Sequence, residues 1–117
     1  VDITAAITEF RKHNAALRRI EQRTGTRVAA GNWTVSPRTR AAVARHRDAI
    51  DDVRTALDLA GHRYLVATLV IEAQERSNLA WARRERLAYE VARLTPAIAA
   101  EGKRVRAYVQ NHTPAAA

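Results

Sequence analysis

Residues 36–61, SPRTRAAVARHRDAIDDVRTALDLAG, decide the fold class. Ser36 offers a capping hydroxyl, and Pro37 suits the first helical position, where its missing N–H costs nothing. Val43, Ile50, Val53, Leu57 and Ala60 then recur on one face, and Gly61 can close the helix in the left-handed conformation. Arg40, Arg47 and Arg54 follow along one edge of that seam, two helical turns apart. Arg38 and Arg45 form a shorter row along the other edge. The stretch reads as one amphipathic helix flanked by guanidinium groups.

Upstream, Asp2 can cap a first helix in which Ile3, Ile7, Phe10, Leu17 and Ile20 keep helical spacing as far as Gln22. Residues 24–35, TGTRVAAGNWTV, have no such period and read as an extended arm. Downstream the period resumes after Gly61 and runs to Leu94. Thr95-Pro96 then repeats the cap-plus-proline signal and opens a fourth helix ending near Asn111. A continuous helix over residues 62–94 would be ~50 Å long, longer than the ~35 Å diameter of a compact domain of this size. Either the molecule is elongated or the helix breaks, with Ser77-Asn78 as the break point. The expectation is an all-α fold: an elongated four-helix arrangement with one long central helix and an extended arm between helices 1 and 2. Residues 1–112 form a single domain, and 113–117 a flexible tail.

Composition agrees with helices and a thin core. The 117 residues include 25 alanines, and Leu, Ile, Val and Phe together supply only another 25. Alanine favours helix but buries little area. Four glycines and three prolines argue against a turn-rich sandwich. No apolar run reaches membrane length and no secretory leader pattern is visible. The absence of Met, with Val1 first, fits removal of an initiator methionine. Within residues 62–94, Leu65, Leu69, Ala73, Ala80, Leu87, Val91 and Leu94 form one stripe. Tyr64, Ile71 and Tyr89 lie roughly opposite, with Val70 and Trp81 nearby. A helix apolar on two sides is central in its bundle or buried against a second subunit. Self-assembly is therefore assigned to Tyr64, Ile71, Trp81 and Tyr89.

Charge is the strongest functional signal. The net formal charge is +8, carried by 18 arginines and only two lysines, Lys12 and Lys103. Residues 11–47 hold nine arginines and Lys12 against a single acid, Glu21, whereas residues 48–75 carry six acids against two arginines. A genome rich in G and C would enrich Arg and Ala, but would not concentrate the charge in this way. Guanidinium forks match phosphate bidentately, so Arg11, Arg18, Arg19, Arg23, Arg27, Arg38, Arg40, Arg45 and Arg47 are the candidate nucleic-acid contacts. Trp33 is a candidate to stack on a base, or to pin the arm to the bundle. The second helix offers almost no Asn or Gln to read base edges, and a dozen-residue connection is too long for a helix-turn-helix. Phosphate contact without sequence readout is the expectation.

Chemistry has little support. His13, His46, His62 and His112 lack helical metal spacing, and Glu72 and Glu75 lack the histidine of a di-iron helix. His46 reads as a core or interface histidine. With no cysteine, disulfides, thiolate metal sites and cysteine nucleophiles are excluded. No phosphate loop or nucleophile elbow is present. No catalytic residue, metal or cofactor is expected. The sequence therefore points to a non-enzymatic packaging or architectural subunit that self-assembles into a homo-oligomer or filament. Its partner is nucleic acid, DNA ahead of RNA, with no membrane and no small-molecule substrate. Its place is the cytoplasm, the nucleoid or a virion. The alternative is a basic helical protein-interaction module in a phage, conjugation or secretion assembly. In general design, long arginine-bearing helices on an alanine-rich frame resemble subunits of filamentous virus or nucleoid coats.

Overall fold

Four helices account for nearly all of the described residues, 2–28 and 35–112, in a computed structural model of the protein. They are α1 (Ile3–Thr24), α2 (Pro37–Leu59), α3 (Arg63–Arg84) and α4 (Ala88–His112). The ends of the first two follow local chemistry. Asp2 Oδ1 accepts the Ala5 N–H at 3.0 Å, and Gly25, at φ 72°, donates its N–H to Glu21 O at 2.8 Å. Ser36 Oγ accepts the Thr39 N–H, and Pro37 opens α2. At its other end Gly61 (φ 86°) donates to Asp58 O and His62 to Leu57 O, the paired bonds of a Schellman stop. Trp33 and the tail 113–117 lie outside the described residues, as does half of the arm, residues 29–34.

The second half departs from the sequence reading. The chain breaks not at Ser77-Asn78 but at residues 85–87, and α4 runs through Thr95-Pro96 instead of starting there. The break is another Schellman stop: Leu87 N–H donates to Ala82 O at 2.8 Å and Arg86 N–H to Arg83 O at 3.1 Å. Its left-handed residue is Arg86, at φ 59°, where glycine would normally stand. Leu87 then packs on Leu79, Ala82, Leu94 and Ile98, contacts that offset the backbone strain. Pro96 sits on an exposed face of α4, and Thr95 Oγ1 donates to Val91 O at 2.8 Å beside it.

α1 and α2 form one antiparallel hairpin, α3 and α4 another. The main core joins Ile3, Ile7 and Phe10 of α1 with Ile50 and Leu57 of α2, Leu65, Val66 and Leu69 of α3, and Val105 of α4. The second cluster belongs to the α3–α4 hairpin alone. Between the two clusters stands a charged layer. Glu72 lies on α3 between Leu69 and Leu79, and Glu101 on α4 between Ile98 and Val105; both are buried. The molecule measures 49 × 35 × 20 Å with a radius of gyration of 15.5 Å, above the ~13 Å of a compact chain of this length. The thinnest dimension is two helix layers. Arg84 ties the far end together, its Nη1 donating to Gln22 O at 2.7 Å. That places a cation on the C-terminal carbonyls of α1.

Candidate functional site

The nine arginines of the first two helices and the arm do not form one surface; tertiary packing divides them. Arg19 and Arg23 of α1 face Arg38 and Arg45 of α2 across an open groove of about 730 Å³, floored by Ala16, Ile20, Ala42 and His46. None of these four arginines pairs with a carboxylate among the described residues. The two arginine edges read along α2 are real, because Val43, Ile50 and Leu57 are buried between them. Arg38 and Arg45 fall on the groove side. Arg47 and Arg54 fall on the other, lining a smaller hollow with Arg18 and Glu21. Arg40 is exposed near the start of α2.

The remaining candidates have internal engagements. Arg11 forms a bidentate pair with buried Glu72, Nε to Oε1 and Nη2 to Oε2, both at 2.8 Å. Arg27 lies over the Trp81 ring at 5.3 Å, with Arg84 over the same ring at 5.7 Å. Trp81 is thereby buried, at 9% exposure, and separates from the residues assigned to self-assembly. Tyr64, Ile71 and Tyr89 are exposed at 60%, 51% and 70%. Tyr64 and Ile71 share one face of α3, whereas Tyr89 opens α4. Leu59, the most exposed large apolar side chain among the described residues, was not singled out by its sequence pattern.

Two histidines meet at the groove. His13 Nδ1 and His46 Nδ1 are 2.9 Å apart, and His13 Nε2 is 3.2 Å from Glu9 Oε2. Such a contact needs one protonated and one bare nitrogen. Burial, then His13, Arg45, Arg19 and Lys12, hold His46 below the ordinary histidine range. Histidine spacing along the chain could not reveal this pair. The signal available was the register of the two apolar seams, which, laid antiparallel, bring the middle of α1 against the middle of α2.

At the bundle's other end, Tyr108 stacks on His112 at 3.9 Å between ring centres, with its hydroxyl 3.3 Å from His62 Nδ1. Among the described residues, no three His, Asp or Glu side chains are grouped to hold a metal, and no helix is long and apolar enough to cross a membrane. No protein-family model, curated protein or solved structure matches the chain.

Proposed function

We propose that the protein is a non-enzymatic architectural subunit that binds nucleic-acid backbone, DNA ahead of RNA, along the α1–α2 groove and self-associates through exposed apolar side chains. One observation carries the reading: Arg19, Arg23, Arg38 and Arg45 converge on a single groove, and no carboxylate among the described residues pairs with them. Four guanidinium groups held together repel one another, and a polyanion laid between them removes that cost while releasing its own counterions. The groove presents no Asn or Gln to base edges, so contacts go to phosphate and binding is indifferent to sequence. Tyr64 and Ile71, apolar and exposed on one face of α3, supply the self-association. That pairing of properties suits a place in the cytoplasm, the nucleoid or a virion.

The test is the salt dependence of binding to a duplex of about 30 base pairs, where each phosphate contacted contributes a log–log slope of roughly −0.9. Arg38→Gln with Arg45→Gln should flatten the slope by about two contacts and weaken binding to all sequences alike. Arg40→Gln, outside the groove, should change it less. Wild-type protein that ignores the duplex at about 50 mM salt would sink the proposal. Binding of an acidic protein instead, lost in the same double variant, would favour an interaction module.

A further inference from the structure

A second basic concavity lies on the opposite flank of α1, against α3. Arg11, Lys12 and Arg18 of α1 and Arg76 of α3 surround a pocket of about 370 Å³ with Glu72 buried in its wall. The carboxylate is already committed. Both its oxygens accept from Arg11, and Arg76 Nε stands 3.7 Å away without hydrogen-bond geometry. Lys12 reaches outward toward Glu9 at 3.8 Å. Arg18 has no hydrogen bond or ion pair among the described residues, although it is half-buried. Burial first, and Arg76 next, push its guanidinium below the ordinary arginine range. A half-buried cation beside a like charge, with Glu72 engaged by Arg11 and Glu21 by the Val28 N–H, is an unfavourable arrangement unless an anion joins it.

We propose that this pocket is a phosphoryl-binding site, with Arg18 and Arg76 as its principal ligands and a small phosphorylated molecule as its occupant. With Arg11 committed to Glu72 and Lys12 directed to Glu9, Arg18 and Arg76 leave two positive charges in excess, and a monocarboxylate would remove only half of that excess. A phosphoryl dianion or pyrophosphate removes it and can accept from diverging guanidinium forks. The volume lies within the range of small-molecule sites. Phe10 and Ala73 give it an apolar wall, and Asn14, held by its Nδ2 donation to Phe10 O, adds a polar amide to the lining. The site is separate from the α1–α2 groove, so either can fail without the other.

The experiment is titration of the full chain with pyrophosphate, read by calorimetry and by thermal shift, with acetate as the monoanion control. Wild type should bind pyrophosphate and ignore acetate. Arg18→Gln should lose affinity at least about tenfold, as expected for a charge-assisted contact. Arg38→Gln should bind like wild type. Without ligand, Arg18→Gln should melt no lower than wild type, since it removes a desolvated charge without a partner. No response to pyrophosphate, equal responses in wild type and Arg18→Gln, or an equal response to acetate overturns the site. A marked loss of stability in ligand-free Arg18→Gln also overturns it, because Arg18 would then be structural. Duplex DNA added to Arg38→Gln distinguishes the source of the phosphate: no competition with pyrophosphate supports a free small molecule, and competition overturns that occupant in favour of backbone phosphate.

Discussion

His13 and His46 meet nitrogen to nitrogen across the α1–α2 hairpin, 2.9 Å apart, beside Arg19 and Arg45. A single proton can occupy that contact, and a second has no acceptor there. His46 is held below its unfolded value, which is about 6.5, chiefly by burial. Its contribution to stability is therefore complete above that value and is lost as pH falls toward its lower folded value. The urea midpoint should drop between about pH 7.5 and pH 5.5, and His46→Gln should flatten that part of the profile. A midpoint insensitive to pH in wild type would contradict the histidine contact.

Arg86 occupies a left-handed position that favours glycine. Arg86→Gly should raise stability by roughly 1 kcal/mol, seen as a later urea midpoint with an unchanged slope. Gly25 is the opposite case. A Cβ there would come within 2.9 Å of Arg84 Nη2 at φ 72°, so Gly25→Ala should cost at least about 1 kcal/mol.

The two glutamates of the charged layer, Glu72 and Glu101, should respond in opposite ways. Glu72→Gln leaves Arg11 without its bidentate acceptor and should cost about 1–3 kcal/mol. Glu101 lies 2.7 Å from Arg104 Nη2, yet neither of its oxygens accepts a well-formed hydrogen bond, and Arg104 is itself exposed. Glu101→Met removes a desolvated charge and leaves only a solvated one behind. It should be neutral or stabilising by about 1 kcal/mol, as judged by chemical denaturation. Equal destabilisation by both substitutions would refute this reading of the charged layer.

Ile71 and Tyr89 are exposed in the single chain, which separates assembly from folding. Replacing both with Ser should leave helicity intact and stability within about 0.5 kcal/mol per site. Sedimentation should show smaller species if these side chains meet a neighbour. Unchanged particle size would remove them from any assembly interface.

The all-α class, the caps of α1 and α2, and the Val43-Ile50-Leu57 seam between two arginine edges were all legible in the sequence. Caps and helical periodicity depend on residues within a few positions of one another, so local reading suffices. The second half misled for an equally physical reason. Pro96 is an effective start signal in isolation, but an exposed helical face tolerates it. Arg86 carries no local stop signal, and the turn it makes is accompanied by packing of Leu87 in the α3–α4 cluster.

Which arginines share a surface could not be decided locally. Arg11 and Arg18 lie within about 100° of Arg19 in helical projection, yet packing turns the first two toward α3 and the last toward α2. The pairing of His13 with His46, of Arg11 with Glu72 and of Arg27 with Trp81 joins residues 33, 61 and 54 positions apart. Composition and periodicity determined that the chain makes basic amphipathic helices. The register between those helices, set by how their apolar seams interlock, decided which charges remain open to a partner and which are consumed inside the fold.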